Sequence, residues 1–118
     1  MRSMSYRILE TDEACRDAEN IACEAYDYTR DVESGRRFLR SYDEKMRSLI
    51  TFPMKYRGVS LEYRGYEIRM LPFENYNMFF VVNPMRKTIT VLRVLYQLQD
   101  WMGLLMPDDV YHVHGRAI

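Results

Sequence analysis

The segment 88–100, TITVLRVLYQLQD, places a guanidinium, a phenol and a carboxylate within one short stretch, at Arg93, Tyr96 and Asp100. It starts as a strand of alternating apolar residues and ends in a polar, aromatic run that a strand does not need for its own sake. Each of the three residues also has a purely structural reading. Arg93 can form an ion pair with Glu67 or Asp100. Tyr96 can pack its ring and leave the hydroxyl at the surface. Asp100 can cap a short helix that begins at Trp101. Arg69, on an earlier strand, is either a second cation for the same site or an ordinary solvated strand residue.

Other chemistry is thinly represented. Cys15 and Cys23 fall eight residues apart in one helical stretch, about 12 Å along its axis, which is too far for a disulfide. They are in no CxxC pair and no Cys–His zinc pattern, so we expect no metal and no cofactor. His112 and His114 lie in the C-terminal segment and are expected as exposed tail residues. The 17 basic and 17 acidic residues cancel, which argues against gripping nucleic acid through the overall field. No apolar run approaches the roughly 20 residues of a membrane span, and MRSMSYRILE is too short and polar for a secretion signal. We therefore expect a cytoplasmic protein without membrane contact.

The elements that must position these residues follow from periodicity. At 118 residues there is room for one core, and 47% hydrophobic content suits a globular chain. SYRILE (5–10) reads as a first strand, and Thr11 and Asp12 offer N-caps. Ala14, Ala18, Ile21, Ala22, Ala25 and Tyr28 recur at helical spacing. After a break at DVESG, Phe38, Leu39, Tyr42, Met46, Leu49 and Ile50 form a second stripe that Pro53 ends. Two stripes and a short break make a helical hairpin.

The period then changes to two. Tyr66, Ile68 and Met70 alternate on one strand and Tyr76, Met78, Phe80 and Val82 on the next. On the last, Ile89, Val91, Arg93 and Leu95 alternate with Thr90, Leu92, Val94 and Tyr96. The last two strands are apolar on both faces, and two helices cover only one. The other face needs a partner, or part of the segment WMGLLMPDDV laid across it. The reading is α+β: an N-terminal strand, a helical hairpin, a three-stranded antiparallel meander, and a short C-terminal helix or tail. Residues 1–107 form the domain and 108–118 the tail.

The successive blocks YRILETDEACRDAENI, FLRSYDEKMRSLITFP, YEIRMLPFENYNMFFVV and ITVLRVLYQLQDW resemble the RelE/ParE family of bacterial toxins, in order and in spacing. The likeness runs from about Tyr6 to Leu105. It implies a small cytosolic toxin of a type II toxin–antitoxin system that inhibits growth and is neutralised by a cognate antitoxin, with which it can form a heterotetramer. RelE-like members cut messenger RNA on the ribosome; ParE-like members bind and poison DNA gyrase.

RNA cleavage needs a base for the 2′-hydroxyl, a cation for the phosphorane and an acid for the leaving oxygen. The resemblance makes Arg69, Arg93 and Tyr96 the candidates if the chain is an enzyme. Yet Asn77 and Glu67 stand where the nucleases carry basic residues, and Gln97, Gln99 and Asp100 replace a basic end. The balance favours a ParE-like binding toxin. Its surface for target or antitoxin would include Tyr66, Tyr76, Met78, Phe80, Tyr96, Asp100 and Trp101. The alternatives are a RelE-like endoribonuclease and a degenerate, non-toxic member. A basic stripe gathering Arg64, Arg69, Arg86 and Arg93 would favour the nuclease; a flat aromatic sheet face would favour the binder.

Overall fold

A computed structural model describes residues 6–105 and 111–117. Strand β1 (Arg7–Thr11) leads directly into helix α1 (Asp12–Thr29), because the Thr11 hydroxyl accepts from the Ala14 N–H at 2.9 Å. Arg30 ends α1 in a left-handed conformation, and the Asp31 carboxylate caps α2 (Val32–Ser48) through the Glu33 N–H. Strands β2 (Gly58–Tyr63), β3 (Tyr66–Phe73), β4 (Tyr76–Asn83) and β5 (Thr88–Tyr96) follow, then the single turn α3 (Trp101–Leu104) and β6 (Val113–Ala117).

The six strands form one mixed sheet in the order β2-β3-β4-β5-β1-β6. The expected α+β class and element order hold, with three corrections. The meander has four strands, because GVSLEY (58–63) pairs with β3 at the sheet edge. Its half-exposed residues and the positive φ of Ser60 hide a period of two. The segment expected as a tail contributes β6, antiparallel to β1. The expected boundary at 107/108 lies outside the described residues.

The third correction concerns β5. Phe79 pairs with Arg93 but Phe80 pairs with Val91, so Leu92 is an extra residue, a β-bulge. The bulge resets the alternation. Ile89, Val91, Val94 and Tyr96 pack on the helix side, while Leu92 and Leu95 pack on the other.

Two cores result. Beneath the helices lie Ile8, Ala18, Phe38, Tyr42, Met78 and Phe80 among others. Gly35 lets α2 approach α1 closely: a Cβ there would stand 2.8 Å from the Ala22 carbonyl oxygen. The stripe on α1 ends before Tyr28, which is exposed because the helix outruns the core. One polar pair is buried here: the Tyr42 hydroxyl donates to Glu10 at 2.7 Å, and burial followed by the Glu10 charge holds that phenol well above its usual range. On the second face Phe79, Leu92 and Leu95 are covered by Trp101, Leu104, Leu105 and Tyr111. The C-terminal segment thus supplies part of the second cover.

Candidate functional site

β1 pairs with β5 only as far as Val91, so among the described residues no strand flanks the edge of β5 beyond it. Side chains take the place of a strand. The Thr11 hydroxyl donates to the Leu92 carbonyl at 2.8 Å, Asp17 accepts from the Val94 N–H at 3.2 Å, and the Gln99 amide oxygen accepts from the Tyr96 N–H at 2.8 Å. An edge whose groups are taken in this way is blunted against pairing with another chain.

Helix α1 runs alongside this edge with matched spacing. Asp17 and Glu24 are seven residues apart, roughly 10.5 Å along a helix. Arg93 and Tyr96 are three apart, roughly 10 Å along a strand. Asp17 meets Arg93 and Glu24 meets Tyr96.

The first contact is a bidentate ion pair. Arg93 Nε lies 2.6 Å from Asp17 Oδ2, and Nη2 lies 2.8 Å from Oδ1. Its Nη1 donates to the Leu104 carbonyl at 3.1 Å, tying α3 down. The two side chains are only 17% and 13% exposed. The Asp17 hydrogen bonds raise the guanidinium pKa against the opposing effect of burial. In the second contact the Tyr96 hydroxyl donates to Glu24 Oε1 at 2.6 Å. Burial, then the Glu24 hydrogen bond and charge, push the Tyr96 phenol well above its usual range. Tyr76 stacks obliquely on Tyr96 at 5.4 Å and is raised in the same direction by burial, Glu74 and Glu24. Between α1 and the end of β5 lies a cavity of about 230 Å³, lined by Asp17, Asn20, Glu24, Arg93, Tyr96 and Gln99 among others.

This arrangement can bind; it is poorly built for acid–base work on a phosphate. The guanidinium is engaged by a carboxylate, and the phenol keeps its proton and gives the hydrogen bond to Glu24. Arg69 does not join it. Its side chain projects from β3 on the helix side, donating to the Met54 and Tyr56 carbonyls at 3.3 and 2.6 Å.

The remaining expectations divide. Tyr76 and Tyr96 come together, and Trp101 follows Tyr96 closely in sequence but lies on the second face, 5.2 Å from Phe79. Asp100 sits at the N-cap position of α3 without making a capping hydrogen bond. Met78 and Phe80 are fully buried under the helices and offer no surface. Tyr66 lies at the opposite end of the sheet, near the β2–β3 turn. The partner of Arg93 is Asp17, not Glu67 or Asp100. No basic stripe forms, since Arg69 and Arg93 leave opposite faces and Arg64 and Arg86 occupy turns at the far end. Asp17 and Glu24 were missed from the sequence; their seven-residue spacing was the available signal.

His112 is exposed as expected, but it is not idle. Its N–H and Nδ1 lie 2.9 and 2.7 Å from the Glu13 carboxylate, and its carbonyl accepts from the Asp12 N–H at 2.9 Å. The His114 side chain lies outside what the structure describes. Burial would raise the Glu13 pKa, but hydrogen bonds from His112 outweigh it, and the net shift is downward. A carboxyl depressed in the folded state stabilises above its unfolded pKa, about 4.3 for glutamate. That contribution is lost as pH falls through the lower, folded-state value. The protection factor of the Asp12 amide, which closes this clasp, should fall on acidification below that range, once the exchange rate is corrected for its own pH dependence. In a Glu13→Gln variant that protection should be lower already at neutral pH.

The family model described as the ParE toxin of type II toxin-antitoxin system, parDE, matches residues 11–101. The matched span begins at the α1 N-cap and ends just past β5, and so includes Asp17, Glu24, Arg93 and Tyr96. No curated protein matches the chain.

Proposed function

The chain belongs to the ParE toxin family of type II toxin–antitoxin systems, and from that membership we propose that it is a cytoplasmic toxin that acts by binding its target, DNA gyrase, and is neutralised by a cognate antitoxin. The observation that carries binding over RNA cutting is the Asp17–Arg93 pair. It cancels the strand cation that a phosphate would need, while Tyr96 is engaged as a donor to Glu24. The end of β5, where half-buried Tyr96 meets Glu24 of α1 and Tyr76 lies beside it, together with the exposed Gln97, Leu98 and Asp100 that follow, is the surface such a target would meet. An antitoxin folding onto the toxin would bury a larger area than this patch, in a complex of two toxins and two antitoxins.

Controlled induction in bacteria, with and without the neighbouring reading frame, tests this reading. Arrest on induction, relieved by the neighbour, is expected. Purified protein should then inhibit supercoiling by gyrase and leave messenger RNA intact in a translating extract. Ribosome-dependent cleavage would establish the RelE-like endoribonuclease instead. Normal growth with good soluble expression would establish a degenerate member.

A further inference from the structure

Helices α1 and α2 bury one side against the sheet and leave the other in water. On that outer side a shallow groove of about 410 Å³ runs between them. Its floor is Ala22 and Gly35, where the two backbones come too close for a larger side chain to fill the gap. Cys23 and Tyr26 of α1 and Val32 and Leu39 of α2 stand along it. Tyr26 and Leu39 are 40% exposed and Val32 54%, although each is large and apolar. A contiguous apolar strip of this kind is what a protein partner covers.

Charge flanks the strip with a different sign on each helix. Asp27 lines the groove from α1 and Arg36 from α2. Exposed Glu19 continues the α1 row one turn below Cys23, and exposed Arg40 continues the α2 row one turn beyond Arg36. Arg36 and Arg40 share the one Glu33 carboxylate at 3.4 and 3.6 Å, with every partner at least half exposed. Such contacts are weak and open readily, and two cations on one acid leave the α2 side positive. Glu19 receives a long contact of 3.9 Å from the Cys15 thiol. The helices are antiparallel and Gly35 is level with Ala22. Three residues from that contact on each helix, roughly 4.5 Å, Glu19 is level with Phe38, midway between Arg36 and Arg40. Arg16, the next cation along α1, is level with the space between Arg40 and Asp43, so it adds no net repulsion.

We propose that this face docks a second copy of the chain, the two hairpins packing across a two-fold axis that runs parallel to the helices. That operation lays each α1 on the α2 of the other copy at the same height. Glu19 of each copy then enters between Arg36 and Arg40 of the other, and Tyr26 meets Val32. Acid and base occupy different helices of one face, so the face is complementary to itself, as an isologous contact requires. The formal net charge is zero, so no long-range repulsion opposes the approach. A pair of helices of this length presents a face of about 27 by 20 Å, and two copies would remove roughly 1,000 Å² from water, at the low end for specific interfaces. The expected dimer is therefore weak, with a Kd in the micromolar range. The proposal does not rest on the toxin reading and uses neither Asp17 nor Glu24.

Sedimentation equilibrium of the purified full-length chain tests it. From low to high micromolar concentration the chain should pass from monomer to dimer. Leu39→Asp, Glu19→Arg and the double variant Arg36→Glu/Arg40→Glu should each weaken the dimer about tenfold or more. All four positions are exposed, so circular dichroism and thermal unfolding of the monomer should stay as in the parent. Mixing Glu19→Arg with the double variant should restore a dimer, because one contact then holds the exchanged signs and the other the native ones. A chain that is monomeric throughout, a dimer insensitive to these variants, or a mixture that stays apart would each overturn the proposal. A monomeric chain whose Leu39→Asp variant loses the product of the neighbouring reading frame would overturn the second copy and give the face to that partner.

Discussion

Replacing Asp17 by alanine should lower the stability of the domain by about 3–5 kcal/mol. Removing the carboxylate leaves the Arg93 guanidinium largely out of water with, among the described residues, the Leu104 carbonyl as its hydrogen-bond partner, and it strips the Val94 N–H of its acceptor. Out of the roughly 5–15 kcal/mol that holds a small domain together, that is a large share. Urea denaturation gives the value directly. The double variant Asp17→Ala/Arg93→Met should recover much of the loss, because it removes the stranded charge and leaves an apolar stem in its place. A single-variant cost below about 1 kcal/mol would mean that the guanidinium swings into solvent and that the pair behaves as a surface ion pair.

Phe79 and Phe80 make the second large prediction. They are neighbours in β4, both fully buried, and their rings enter different cores. Phe80 lies under the helices, with Tyr56 edge-on at 6.0 Å; Phe79 lies under Trp101 of α3. Truncation of either to alanine should cost about 3–5 kcal/mol, the range for a buried aromatic whose cavity cannot collapse. Equal losses in thermal or chemical unfolding would establish that both faces are packed to the same standard. A small loss at Phe79 alone would show that the C-terminal segment lies on the sheet without a tight fit.

The same two residues show what the sequence could and could not reveal. Strand β4 was legible as a strand, and its helix-facing residues were correctly grouped with Tyr76. Their exposure was misjudged, because an all-apolar strand gives no sign of which face meets water. The bulge at Leu92 is silent for the same reason: a one-residue slip shows in a pattern only when one face is polar, and β5 is apolar on both. The cap at Thr11 was readable, since capping is local chemistry. The partner of Arg93 was not, because it comes from a residue 76 positions away and any of the 17 acids could have served. Strand β6 escaped because its order comes from pairing with β1 and not from a period of its own.

The placement of β1 between β5 and β6 has a consequence for the time at which this protein comes into existence. Arg7 meets Thr88, 81 residues further along the chain, and Leu9 waits for Ala117. At roughly 5–20 residues per second of synthesis, the first strand is made roughly 4–16 s before its β5 neighbour. During that interval the helical hairpin has no sheet to rest on, and the carboxylates of α1 have no Arg93 or Tyr96 to meet. A growing chain therefore cannot assemble the β5 surface early. The sheet therefore stays incomplete until residues 88–96 and 113–117 have both been made, however early the helical hairpin forms.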